Sequence, residues 1–156
     1  MTTSDWQSAV ERLSVSDGVP IMVREILVEA RETMKMGPWS YALFTRGLEH
    51  ALKCAETAIT LRAHAAGVPL RSPNGQPTTF AFRLKRLRQM QIIEAADHES
   101  WTRIRELRNL TAHPKQPFLL SPAAAIAVVQ TIAKAIEQLF AARGGSNLVR
   151  SVTPRV

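Results

Sequence analysis

Apolar residues recur at spacings of three and four along almost the whole chain, and no stretch alternates between apolar and polar residues as a strand does. A three-four spacing places apolar side chains on one face of an α-helix. Gly37-Pro38 and Gly144-Gly145 interrupt the pattern, and helices are expected to end there. The sequence therefore predicts an all-α fold, an antiparallel bundle of four to five helices with short links.

The 156 residues suit one domain with short tails. Residues 1–19 are predicted to be an N-terminal extension with a short helix, residues 20–143 the helical bundle, and residues 144–156 a flexible C-terminal tail. The bundle helices are expected at about 20–36, 39–65, 79–95 and 97–113, with a last one beginning at Ser121-Pro122. The proline-rich residues 67–79 are predicted to form a loop.

Composition limits the compartment and the partners. The single cysteine, Cys54, allows no internal disulfide, the first residues lack a signal peptide, and no apolar run approaches the ~18 residues of a membrane span. A soluble, cytoplasmic protein without membrane contact is expected. The net charge of +7 and a pI near 10.5 favour binding of polyanions such as nucleic acid, although a basic surface alone does not require it.

Most familiar catalytic and metal-binding patterns are missing from the sequence. It has no glycine-rich phosphate loop, no paired cysteines and no serine in a nucleophile elbow. His50 and Cys54 lie four residues apart on a helix but lack further ligands, so no metal and no cofactor is expected. His64 and His98 are interpreted as solvated or capping residues. Solvated helix faces are the expected positions of the scattered carboxylates Glu29, Glu32, Glu49, Glu56 and Glu94.

One segment combines a strong cation, an amide and an imidazole within six residues, namely Arg108, Asn109 and His113. On a continuous helix Arg108 and His113 would lie about 140° apart, since each residue turns ~100°. The residue before a proline avoids the α conformation, so the helix is expected to end near His113 and to free its imidazole. Alternatively, two copies of the segment could meet across a dimer.

These three side chains are the parts needed to cleave RNA without a metal. An imidazole at a helix C-terminus can exchange a proton near neutral pH. A guanidinium forms a planar fork that matches a phosphate, and an amide can orient either group. A structural explanation stays open, in which Arg108 pairs with Glu99 or Glu106 and His113 caps the helix.

The stretch from Phe82 to Pro114 resembles the HEPN superfamily, whose signature is an arginine, a polar residue, a short spacer and a histidine between helices of a bundle. Arg108, Asn109 and His113 match that signature, and the resemblance covers roughly residues 20–142. It implies a helical bundle that dimerises and joins two motifs in one cleft. Many members are metal-independent ribonucleases of toxin–antitoxin, phage-defence or RNA-processing systems.

Carried over from that resemblance, Arg108 would stabilise the phosphate, Asn109 would orient it, and His113 would transfer a proton. Arg83, Arg86, Arg105 and Lys115 are the expected substrate-binding residues, although a solvated helix face also explains such charges. The expected partners are RNA, a second copy of the chain and a cognate antitoxin protein. Since other members cleave nothing, the alternative function is a non-catalytic helical module that binds a protein or nucleic acid.

Overall fold

A computed structural model describes residues 2–112 and 120–141. These residues form six α-helices and no β-strand; one isolated antiparallel bridge joins Arg71 and Pro77. The helices are α1 (Thr3–Glu11), α2 (Ile21–Lys35), α3 (Tyr41–Ala65), α4 (Phe80–Gln89), α5 (His98–Ala112) and α6 (Pro122–Phe140), with a 3-10 turn at Ala95–Asp97. The prediction of an all-α helical bundle is confirmed for this part of the chain, and residues 67–79 form the expected long connection.

Hydroxyl side chains fix the beginnings of three helices. The Thr2 hydroxyl accepts a hydrogen bond from the Asp5 amide, while the Asp5 carboxylate accepts one from the Thr2 amide, which forms a capping box and lowers the pKa of Asp5. The Thr79 hydroxyl accepts from the Phe82 amide and caps α4, and the Ser121 hydroxyl accepts from the Ala124 amide and caps α6. Pro122 occupies the first turn of α6, as predicted.

Helix α3 is the centre of the bundle, since it packs against α2, α4, α5 and α6. Phe44, Leu48, Leu52, Ala55 and Ile59 follow the three-four spacing along α3 and are buried, whereas Leu61 and Arg62 at the end of that face are half-buried. The backbones of α2 and α3 approach closely at Gly47. A Cβ atom there would lie 2.3 Å from the Met34 Cγ and 2.9 Å from the Ala30 carbonyl oxygen. Only glycine fits this crossing without a shift of one helix.

The N-terminal helix is part of the core. Trp6 and Val10 of α1 are buried in the same apolar cluster as the remaining helices. The Trp6 indole Nε1 donates a hydrogen bond of 2.9 Å to the Met34 carbonyl, and its ring lies 5.4 Å from the Phe44 ring. The short helix predicted within residues 1–19 therefore exists and packs on the bundle.

Helix α4 is shorter than the pattern predicts, because it ends at Gln89 and not near residue 95. Gln91 adopts a left-handed backbone with φ 56°, and the Ile92 amide donates to the Leu87 carbonyl across the helix end. This hydrogen bond is that of a Schellman motif. The residue in the left-handed position is normally glycine, so the sequence carries no visible stop signal here.

One helix in the described ranges, α6, is long and apolar enough to cross a membrane by length and composition alone, with a mean hydropathy of 1.3. The sequence analysis predicted no such segment. Its residues Val129, Ile132 and Ile136 are completely buried in the bundle. A core helix of a soluble protein has the same properties, so a soluble protein agrees with this structure.

Candidate functional site

Arg108 is placed by the inner face of α5. Trp101 and Ile104 on that face are each 1% exposed and lock the helix against the core. Arg108 follows Ile104 by one helical turn and lies at the edge of the same face, where it is half-buried. The side chain therefore points along the boundary between α5 and α3.

Arg108 forms a two-pronged ion pair with Glu56 of α3. The Arg108 Nε donates to Glu56 Oε2 at 3.1 Å, and the Arg108 Nη2 donates to Glu56 Oε1 at 3.3 Å. The side chains are 34% and 31% exposed, so the pair is shielded from solvent only in part. A fork of this kind fixes both the position and the plane of the guanidinium.

This pairing corrects two expectations. Glu56 does not lie on a merely solvated helix face, as the sequence analysis supposed. The partners named in the structural alternative are also wrong, since Glu99 pairs with Arg103 and Glu106 is exposed. That alternative was right in its general form, because Arg108 does have a carboxylate partner.

A second guanidinium reaches α3 one helical turn away. Arg83 of α4 donates from Nη1 to the Thr60 hydroxyl at 2.7 Å and from Nε to the Thr78 hydroxyl at 3.0 Å. Thr60 follows Glu56 by four residues, so both residues lie on one face of α3. Within residues 2–112 and 120–141 Arg83 has no carboxylate partner, and its charge is available to an anion.

The Glu56 side chain also borders an open cleft. The cleft encloses about 690 Å³ of space that includes open solvent. Its walls come from α2 and α3 and consist of Met22, Lys53, Glu56, Thr57, Thr60 and Leu61. Glu56 thus has one side on Arg108 and another facing solvent, and Lys53 adds a positive charge to the same opening.

The other predicted substrate-binding arginines lie elsewhere. Arg86 is exposed and donates to Gln89 of its own helix. Arg105 lies near another arginine, Arg88. The pKa of Arg88 is lowered, mainly because the side chain is partly buried and also because the positive charge of Arg105 is close. Arg88 in turn donates to the His98 carbonyl at 2.6 Å and to Thr102. The structure therefore brings Arg83 next to the Arg108 pair and gives Arg86 no link to it.

Three other predicted site residues are only partly described. Asn109 is exposed on α5, next to Arg108. His113 and Lys115 lie outside the described residues, as does the predicted end of the helix at His113. Their roles stay predictions.

The sequence analysis did not identify Glu56 or Thr60 as site residues. A signal for Glu56 exists: it follows the buried Leu52 by four residues, so its carboxylate had to lie at the edge of a packed face. A half-buried carboxylate needs a cation or hydrogen-bond donors. Which arginine supplies them depends on a contact across 52 residues of sequence, which no local pattern shows.

His50 and Cys54 are not held together for metal binding. His50 is exposed, whereas Cys54 is fully buried and its thiol donates to the Val23 carbonyl at 3.2 Å. Burial raises the pKa of the Cys54 thiol to about 12, which disfavours the thiolate that a metal binds. In the described part of the chain no group of three His, Cys, Asp or Glu side chains could hold a metal ion.

Comparison with known proteins adds a family without a stated activity. A family model described as a domain of unknown function (DUF4145) matches residues 48–151. The match includes Glu56, Arg83 and Arg108, and it begins within α3, after α1 and α2. No curated protein and no solved structure matches the chain.

Proposed function

The chain belongs to the family described as a domain of unknown function (DUF4145), and we propose from its site that it is a metal-independent endoribonuclease of the HEPN type. The observation that carries this proposal is the state of Arg108. Its guanidinium is oriented by Glu56, a third of its side chain is exposed, and a second cation, Arg83, reaches the same face of α3. A site for a phosphodiester needs such a preorganised fork.

In this proposal Arg108 binds the scissile phosphate through the edge of the guanidinium that Glu56 leaves open. Asn109, exposed on the same helix, orients the phosphate or the imidazole. His113 follows α5 by one residue in sequence and transfers a proton, so that cleavage leaves a cyclic phosphate. Arg83, Arg105 and Lys115 contact flanking phosphates, and Arg86 contacts the RNA farther from the cleaved bond.

The proposal includes a homodimer in which two motifs form one composite cleft. Leu110 supports this idea, because it is a large apolar side chain that is 54% exposed next to Asn109. We further propose that the protein is cytoplasmic and acts as the toxin of a toxin–antitoxin or phage-defence system with a cognate antitoxin protein. The lone buried cysteine suits a reducing compartment.

A cleavage assay in the presence of EDTA tests the activity. Purified protein should cut single-stranded RNA with the chelator present, and the cut should vanish in Arg108→Ala and in His113→Ala. Arg103→Ala is the matched control, since Arg103 lies on the same helix, is exposed and, among the residues that the structure describes, pairs with Glu99. Intact RNA at high protein concentration, or equal cleavage by the Arg108 and Arg103 variants, would contradict the proposal.

A second candidate is a non-catalytic helical module that binds nucleic acid or a protein. The observation that favours it is the Glu56 fork itself, which already gives Arg108 a structural role between α3 and α5. This candidate predicts RNA binding that weakens steeply with salt, is reduced in Arg83→Ala, and is unchanged in His113→Ala. Binding without cleavage under all conditions would favour it over the nuclease.

A further inference from the structure

The reaction proposed above needs two proton transfers, and this inference rests on that proposed function. When a ribose 2′-hydroxyl attacks the adjacent phosphorus, the hydroxyl must lose a proton and the leaving 5′-oxygen must gain one. The motif has one imidazole, His113, so one of the two transfers has no assigned group within a subunit. The described residues contain a candidate for that transfer.

Glu56 is placed where such a group is needed. Both of its oxygens accept from Arg108, and each carboxylate oxygen has a second lone pair that the fork does not use. The side chain is 31% exposed and borders the cleft between α2 and α3. A hydroxyl group that enters the cleft can therefore reach the carboxylate.

The unused edge of Arg108 determines where a phosphate would bind. Its Nε and Nη2 donate to Glu56, whereas its Nη1 makes no hydrogen bond to any residue of the described ranges. A phosphate oxygen on Nη1 would share the guanidinium plane with the carboxylate. The phosphorus and the Glu56 oxygens would then lie side by side, as a 2′-hydroxyl and its adjacent phosphate do.

We infer that Glu56 is the general base of the cleavage reaction. A Glu56 oxygen takes the proton from the ribose 2′-hydroxyl, and the 2′-oxygen forms a bond to phosphorus. The bond from phosphorus to the 5′-oxygen breaks, and that oxygen takes a proton from the imidazolium assigned to His113. The products are a 2′,3′-cyclic phosphate and a 5′-hydroxyl, and solvent restores both protonation states.

The surroundings of Glu56 suit a single RNA strand. Among the described residues, Arg108 of α5 pairs with the carboxylate, Arg83 of α4 contacts α3 one turn further along, and Lys53 of α3 lines the same cleft. Helix α2 contributes the apolar Met22 to the cleft. All three charges are positive and lie around one carboxylate. This arrangement favours a polyanion whose backbone passes over α3 while one ribose faces Glu56.

A small substrate separates the base from the acid. In uridine 3′-(4-nitrophenyl phosphate) the leaving group departs as a stable phenolate, so cleavage needs a base but no acid. We expect Glu56→Gln to lower the cleavage rate of this compound about 100- to 10,000-fold, the usual contribution of a general base. We expect His113→Ala to lose far more activity on RNA than on this compound, and Glu56→Gln to lose activity on both.

Glu49→Gln is the matched control, since Glu49 lies on the same helix and is exposed. Melting temperatures of both variants test whether they fold, and Glu56→Asp, which keeps a carboxylate, should retain part of the activity. The kinetic constants on the nitrophenyl compound distinguish a base from a group that only positions Arg108. Loss of a base should lower kcat and leave KM nearly unchanged, whereas loss of a positioning group should also raise KM.

Two negative results have different meanings. If the wild-type protein cleaves neither RNA nor the nitrophenyl compound, the proposed nuclease function fails. If the wild type cleaves both, and the kcat of Glu56→Gln stays within a few-fold of that of Glu49→Gln, the nuclease stands and the role of Glu56 as base is overturned.

Discussion

The ion pair between Glu56 and Arg108 has a coupling energy that can be predicted from its geometry. It contains two hydrogen bonds, of 3.1 and 3.3 Å, and its side chains are 31% and 34% exposed. Exposed pairs contribute about 0.2–1 kcal/mol to stability, because solvent screens the charges. The forked geometry and the partial burial place this pair at the upper end, so we expect a coupling of about 1 kcal/mol.

A double-mutant cycle measures this energy. Urea denaturation of the wild type, Glu56→Ala, Arg108→Ala and the double variant gives four free energies of unfolding, from which the coupling follows. A coupling of about 1 kcal/mol changes the unfolding equilibrium constant about fivefold. In 1 M salt the coupling should decrease, since the pair is only partly shielded.

The pair between Arg103 and Glu99 on α5 provides the reference. Its side chains are 70% and 75% exposed, so we expect its coupling to be about 0.3–0.5 kcal/mol. If the Glu56–Arg108 coupling does not exceed that of the reference pair, the fork does not hold Arg108 in solution. Arg108 would then not be preorganised, and the proposed nuclease would lose its main support.

Three further predictions concern the stability of the fold. Gly47→Ala should lower the free energy of unfolding by about 1–2 kcal/mol, because the added Cβ meets Met34 and the Ala30 carbonyl and this outweighs the gain in helix propensity; Gly18→Ala, in open surroundings, should change it little in the same thermal melt. Gln91→Gly should raise the stability by about 0.5–1 kcal/mol by relieving the left-handed backbone, and unchanged melting would contradict the strain. The buried Cys54, whose pKa rises from 9.0 to about 12, should contribute stability that is complete below pH 9 and is lost as the pH rises towards 12; Cys54→Ala should show a shallower loss over that range.

The helices could be predicted from the sequence because their signals are local. The three-four spacing identified the buried faces of α2, α3, α5 and α6, and Ser121-Pro122 identified the first turn of α6. The end of α4 was missed because Gln91 takes a position that normally requires glycine. The backbone there is held by the Ile92–Leu87 hydrogen bond and by burial of Ile93, neither of which follows from a single residue type.

The site was predicted less completely than the fold. Arg108 and Arg83 were identified from residue type and motif, and the structure places both against α3. The carboxylate between them was not identified, since Glu56 and Arg108 are 52 residues apart. Ion pairs between long side chains on different helices depend on how the helices pack. Such pairs therefore follow from the tertiary structure and not from helical periodicity.

The ion pair of Arg108 and Glu56 can serve the packing of α3 on α5 and a phosphate-binding site at the same time. A half-buried guanidinium needs a counter-charge, because burial of an unpaired cation is unfavourable. A carboxylate that only neutralised it could bind any edge of the guanidinium. Glu56 binds the Nε and Nη2 edge and lines the cleft, and Nη1 makes no hydrogen bond to a described residue. Under the proposed function, the contact that joins α3 to α5 would therefore also leave one guanidinium edge for a phosphate and one carboxylate beside it for a proton.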